Sequence, residues 1–100
     1  MRVQWSSFAL RQAEEIVLRI AEDRPAAAVR WLDGLFERVT SLRELPEQGR
    51  SIPEARRADL RELIYGSYRI IYRVRHDAVA VLIVRHSRMH LDPDDLPGLP

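Results

Sequence analysis

The first half of the chain repeats apolar residues with the spacing of an α-helix. One run extends from Ala9 to Ala21 and a second from Val29 to Leu42, each with apolar positions three or four residues apart. Pro25 lies between them, and proline fits the first turn of a helix but not its interior. The pattern predicts two amphipathic helices, and the short break predicts that they pair as an antiparallel hairpin.

The second half changes to the two-residue period of β-strands. The predicted strands are Leu60–Tyr65, Tyr68–Val74 and residues 78–84, separated by two-residue turn signals at residues 66–67 and 76–77. Strands joined by turns this short form an antiparallel meander. The last strand is almost entirely apolar, which indicates an interior position in the sheet.

These elements define an α+β fold of β-α-α-β-β-β order. Residues 1–5 alternate and supply an N-terminal strand, which is added to the small antiparallel meander sheet, and the helical hairpin packs on one face of that sheet. Residues 46–59 lack periodicity and are predicted to be a loop. A chain of 100 residues is too short for two cores, so residues 1–91 are predicted to be one domain and residues 92–100 a flexible tail.

The sheet face opposite the helices carries the main candidate site. Arg69, Ile71 and Arg73 alternate with residues that point toward the helices, so they share this face. Two guanidinium groups beside an aliphatic side chain on an uncovered sheet suit an anionic partner with an apolar component. The pattern therefore predicts that Arg69, Arg73 and Ile71 form a partner-binding surface.

The charge distribution favours the same class of partner. Residues 50–90 contain nine arginines and four carboxylates, a local charge of +5, although the whole chain carries +1. A basic segment of this kind indicates a polyanionic or acidic partner, while a solvated surface that uses arginine in place of lysine would have the same composition. The chain contains no lysine, so a phosphate-binding group or a general base would have to come from other residue types.

Several classes of protein are excluded by composition. The absence of cysteine excludes a disulfide framework and a thiolate metal site. His86 and His90 have a metal-ligand spacing, but this spacing makes a site on a helix, and here it falls at a strand end. No apolar run approaches the roughly 18 residues of a membrane span. We therefore expect a cytoplasmic protein with no metal, no cofactor and no membrane partner.

Several short motifs resemble those of one protein family. They are Leu-Arg-Glu at residues 60–62, Gly-Ser-Tyr-Arg-Ile-Ile-Tyr at 66–72, Val-Arg-His-Ser-Arg at 84–88, and a loop with Pro, Gly-Arg and Pro-Glu at 46–54. In this order they resemble the RelE/ParE superfamily of bacterial toxins, the toxin halves of type II toxin–antitoxin modules. The similarity runs from Val3 to about Leu91.

The resemblance implies a growth-inhibiting toxin that a cognate antitoxin neutralises. ParE-like members act on DNA gyrase, whereas RelE-like members cut mRNA on the ribosome. The strand that ends at His86 and the absence of lysine favour the ParE-like, plasmid-stabilisation subgroup. A third alternative is a binding module that keeps the fold without toxicity.

The nuclease alternative implies specific roles for three residues, and whether the chain is an enzyme stays open. Arg69 and Arg88 would stabilise the scissile phosphate and His86 would act as acid or base, without a metal. Each has a structural alternative as well. Arg69 could pair with Glu62 across the strands, and His86 could hold the strand end through a hydrogen bond, the role that we favour for it.

Overall fold

The elements follow the predicted order, with one additional short strand. The computed structural model of the protein describes residues 1–87. Its elements are β1 (Arg2–Trp5), α1 (Ser7–Asp23), α2 (Pro25–Thr40), a 3₁₀ turn (Ser41–Arg43), β2 (Arg50–Ser51), β3 (Leu60–Tyr65), β4 (Tyr68–Val74) and β5 (Ala78–His86). None of the helices in this described part is long and apolar enough to cross a membrane.

The strands form a single five-stranded sheet in the order β1-β5-β4-β3-β2. β3, β4 and β5 are antiparallel neighbours, as the two-residue turns predicted, and β1 pairs with β5 in parallel. The predicted α+β architecture is confirmed. β2 was missed because it has only two residues, too few to show a period of two.

Both helices begin where their capping residues predict. The second helix, however, ends before its apolar pattern does. The Ser6 hydroxyl accepts a hydrogen bond from the Ala9 N–H and caps α1, and Pro25 occupies the first turn of α2. The apolar pattern of α2 continues to Leu42, which is fully buried in the 3₁₀ turn. Continued burial and a tighter backbone turn are compatible, so the apolar pattern alone did not locate the helix end.

The main core lies between the helices and one face of the sheet. Tyr68, Ile70, Tyr72 and Val74 face this core, as their alternation predicted. Trp5 contacts Phe36 and Trp31 contacts Tyr68, with ring centroids 5.0 and 5.2 Å apart, so the tryptophans are packing residues.

The opposite sheet face is also covered, and the prediction that it is open is wrong. Ile71 is fully buried in a second apolar cluster with Ile52, Leu60 and Ile83. Ile52 begins the segment of residues 52–59, hereafter the strap, which runs over this face. The central strand β4 is thus buried from both sides, because the loop between the helices and β3 folds back over it.

The backbone three residues before the strap is fixed by a contact with a side chain of the main core. The Gly49 N–H donates to the hydroxyl of Tyr72 at 2.8 Å, and Tyr72 is fully buried. A Cβ atom at position 49 would lie 2.6 Å from the carbonyl oxygen of Glu62, so the backbone approaches more closely than other residues allow. This approach directs residues 50 and 51 along β3 and the strap across β4.

Candidate functional site

Arg69 lies under the strap, and each of its three side-chain nitrogens donates to a carboxylate. Its Nε donates to Glu62 Oε2 at 2.6 Å, and its two terminal nitrogens donate to the Glu54 carboxylate at 2.9 and 3.0 Å. Arg69 is only 7% exposed. The hydrogen bonds to Glu54 raise the pKa of the guanidinium above its usual value, and burial opposes that shift. Arg69 therefore stays charged and binds residues of its own chain.

Glu62 completes this buried network. Its side chain is fully buried, and its second oxygen accepts from Arg50 Nε at 2.7 Å. Glu54, Arg69, Glu62 and Arg50 thus form an ion-pair tetrad in which two carboxylates balance two guanidiniums. The cross-strand pairing of Arg69 with Glu62, the structural alternative from the sequence, is present.

Arg73 is held by the other end of the strap. Its Nε donates to Asp59 Oδ2 at 3.0 Å, and Arg57 donates to both oxygens of the same carboxylate. The hydrogen bond from Arg57 contributes most to lowering the pKa of Asp59, and the charge of Arg73 adds to it. The Arg73 side chain keeps 19% exposure. Of the three predicted partner-binding residues, it alone reaches the surface to that degree.

The predicted partner-binding surface therefore does not exist as a free face. The structure places Arg69, Ile71 and Arg73 on one face, as predicted, but Ile71 is fully buried and Arg69 nearly so. Glu54 and Asp59 were not recognised as their partners. The available signal was the three carboxylates in the loop of residues 46–59, Glu54 and Asp59 among them, which precedes a strand pair rich in arginine.

His86 lies on the opposite face of the sheet, next to α1. It is directly across from Tyr68 in the strand pairing, and the two rings meet edge to face with centroids 5.4 Å apart. A groove of about 190 Å³ opens here between α1 and β5, lined on the helix by Gln12, Glu15, Ile16 and Arg19 and on the sheet by Tyr68, Val84, Arg85 and His86. Strand alternation places His86 and Arg69 on opposite faces of the sheet.

Arg88, the third nuclease candidate, lies outside the described residues, as does the predicted tail at residues 92–100. Of the two candidates that the structure describes, Arg69 faces the strap and His86 faces α1, so the structure does not bring these two together. The catalytic roles of these three residues stay predictions.

Comparison with known proteins identifies the family. Residues 3–91 match the model of the ParE toxin of the type II toxin–antitoxin system, parDE. A relative from Sinorhizobium fredii, Y4kP, named as a candidate toxin, is 36% identical over 88 residues, which cover 86% of this chain and 88% of that protein. A structure of the chromosomal ParDE system from P. aeruginosa matches with a TM-score of 0.73 at 19% identity, over 86% of this chain and 95% of that one.

The fold and the sequence motifs thus define a type II toxin of the ParE kind. The chain belongs to the ParE toxin family, as the resemblance to the RelE/ParE superfamily implied. A toxin of a type II system has an antitoxin counterpart by the definition of that class.

Proposed function

We propose that this chain is a growth-inhibiting toxin that acts on DNA gyrase in the cytoplasm and is neutralised by a cognate antitoxin. Membership of the ParE family supports the proposal. The choice of gyrase over mRNA as the target rests on the hydrogen bonding of Arg69. All three of its nitrogens donate to Glu54 and Glu62.

A nuclease of the alternative kind needs a free cation at the scissile phosphate. Attack of a 2′-hydroxyl builds negative charge on the phosphate oxygens, and positioned cations must stabilise that charge. In this chain a phosphate at Arg69 would have to displace two carboxylates, one of them fully buried. Leaving that carboxylate without its partner costs several kcal/mol. The arrangement therefore favours a toxin that works by binding another protein.

The helical hairpin offers the surface that an antitoxin would cover. Leu18 and Val29 are each 60% exposed, and Leu10 and Phe36 are 44% and 38% exposed. Apolar side chains in this number on two adjacent helices leave a surface that a partner can protect from water. We propose that the antitoxin, a segment that folds on binding, covers this face of the hairpin.

The target is tested by inducing the chain in cells and by adding the purified protein to DNA gyrase. We expect growth arrest, an SOS response and gyrase-linked DNA breaks in cells, and inhibition of supercoiling with purified gyrase. Cuts in mRNA that follow the codon phase, without DNA breaks, would contradict the proposal and support the nuclease. A harmless chain would support the non-toxic module.

The antitoxin surface is tested with paired charge substitutions on α1 and α2. We expect L18E together with V29E to abolish rescue by a co-expressed cognate antitoxin while growth arrest persists. I64E is the matched control, because Ile64 is 42% exposed but lies on β3, away from the hairpin. Loss of rescue by the control alone would move the antitoxin to the strap side of the molecule.

A further inference from the structure

Three arginines converge where the strap rejoins the sheet, and a fourth precedes them directly in the chain. Arg57 and Arg73 both donate to the carboxylate of Asp59, at distances between 2.7 and 3.0 Å. Arg75 follows the end of β4 and lines a depression of about 410 Å³ with Arg73, Asp59, Val74 and His76. Arg56 is adjacent to Arg57 and exposed. Arg56, Arg57, Arg73 and Arg75 are hereafter the arginine cluster.

The arginine cluster keeps a large excess of positive charge. Asp59 is its single carboxylate, so four guanidiniums leave a net charge of +3. Arg56 and Arg75 are exposed, and within residues 1–87 neither takes part in an ion pair. The excess is therefore presented to solvent at one end of the sheet.

Within residues 50–87, each carboxylate other than Asp59 is already paired with an arginine outside the cluster. Residues 50–87 contain eight arginines and four carboxylates. Glu54 and Glu62 are bound to Arg69 and Arg50, and Asp77 is bound to Arg2. The helical part is different, because residues 7–45 contain six arginines and seven carboxylates. The part of the chain that forms the strap and strands β3 to β5 is thus basic, and the helical part is nearly neutral.

The chemistry of the cluster fits phosphate groups spaced along a backbone. Guanidinium groups donate two parallel hydrogen bonds to a phosphate, and they are weakly hydrated compared with ammonium groups. The residues that form the cluster and its depression include one ring, the small imidazole of His76, and no Phe, Trp or Tyr. Single-stranded nucleic acids are bound mainly by stacking on such rings, whereas a duplex is bound through its phosphates.

We propose that the arginine cluster binds the phosphate backbone of double-stranded DNA, without sequence preference. The inference goes beyond the gyrase proposal, because it concerns the affinity of this chain for DNA by itself. A toxin that acts on an enzyme engaged with DNA would gain a second contact from such a surface.

The test measures binding of the full chain to a short fluorescent duplex by anisotropy, at salt concentrations between about 50 and 200 mM. We expect the logarithm of the affinity to fall linearly with the logarithm of the salt concentration, with about 0.9 units of slope for each phosphate contacted. The variant R56N/R75Q should lose about 1.8 units of slope and bind at least about tenfold more weakly at the lowest salt.

The matched control is R11Q/R30Q, which removes the same charge from exposed arginines of α1 and α2. Asn is chosen at position 56 because Arg56 has a φ of 47°, a conformation that asparagine tolerates well. We expect the control to bind DNA nearly as tightly as the unchanged chain. Thermal unfolding of both double variants checks that each remains folded. If R56N/R75Q does not fold, the single variant R75Q replaces it in the binding measurement.

Three results would overturn the proposal. They are no duplex binding at the lowest salt, equal loss of affinity in the two double variants, and tighter binding to a single-stranded RNA of equal length than to the duplex. The gyrase proposal fails separately, because the anisotropy measurement contains no gyrase. A chain that binds the duplex through the cluster but leaves supercoiling unaffected would support this inference and refute the target.

Discussion

At the scale of single residues, Glu62 stands out as one of two buried charged side chains among residues 1–87. It is a carboxylate with a fully buried side chain, and it receives hydrogen bonds from Arg69 and Arg50. Moving charges out of water is so costly that such a pair contributes little net stability, yet removing one partner leaves an uncompensated charge. The network therefore specifies how the strap sits on β4 more than it adds to stability.

The two arginines that bind Glu62 should differ sharply in their effect on stability. We expect R69A to lower the free energy of unfolding by about 3–5 kcal/mol, since it leaves Glu62 and Glu54 without their main partner. R50A should cost no more than about 1 kcal/mol, because the Arg50 side chain is 66% exposed. Urea unfolding measures both, and equal midpoints for the two variants would contradict the buried network.

Asp59 gives the molecule a dependence of stability on pH. Its pKa in the folded chain lies below the usual value of 3.8, chiefly because of the hydrogen bond from Arg57. A carboxyl group of this kind stabilises the fold above pH 3.8, and the contribution is lost as the pH falls through the lower, folded pKa. We expect D59N to flatten acid unfolding below about pH 4, and coincident acid-unfolding curves for D59N and the unchanged chain would contradict this.

At the scale of elements, the helices and the meander could be predicted because each has a buried face with a regular period. The strap could not, because its contacts are made by single residues: Ile52 under the turn, Glu54 on Arg69 and Asp59 on Arg73. An irregular segment has no repeating pattern, so its sequence does not show which way its apolar and acidic side chains point. The open face expected from β4 was wrong for this reason.

An irregularity in β5 is also invisible in the sequence. The pairing with β4 shifts between Ile71 and Tyr72, so that Leu82 has no residue opposite. The start of α1 binds backbone groups of β5 beside this position: the Ser6 hydroxyl donates to the Leu82 carbonyl, and the Gln12 side chain accepts from the Val84 N–H. These two polar side chains thus join the first helix to the sheet.

Gln12 can be removed to test this junction. We expect Q12A to lower the free energy of unfolding by about 1–3 kcal/mol, because the Val84 N–H loses its acceptor. E14A is the control, since Glu14 is exposed on the same helix and should change stability by less than about 0.5 kcal/mol. If thermal unfolding gives the same loss for both, the amide finds another acceptor.

At the scale of the whole molecule, the sheet has apolar clusters on both faces. The helical hairpin covers the larger cluster and the strap covers the smaller one, which contains Ile52, Leu60, Ile71 and Ile83. The family and the fold were predictable from the order of motifs and elements. The burial of both sheet faces was not predictable. An isoleucine at position 71 is compatible with a strand that is buried on both faces and with a strand that has one open face.

The strap should unfold locally before the rest of the molecule. We expect I52A to increase hydrogen exchange of strap amides such as that of Ala55, which donates to the Ile52 carbonyl, more than exchange in α1. The overall cost should be about 2–5 kcal/mol, because Ile52 is 2% exposed. I64A, at a residue 42% exposed on the same sheet face, should change exchange little. Uniform acceleration across the chain would refute a separately opening strap.

The parallel pairing of β1 with β5 also determines when the sheet can be completed during synthesis of the chain. Arg2 pairs with Ala78 and Trp5 with Val81, so β1 can find its partner only after β5 has been synthesised. Contacts across so long a stretch of chain form slowly, because many residues must be ordered first. Translation products that stop before residue 78 would contain both helices but no neighbour for β1. We expect them to be degraded as incomplete chains, so that growth arrest requires a product that includes β5.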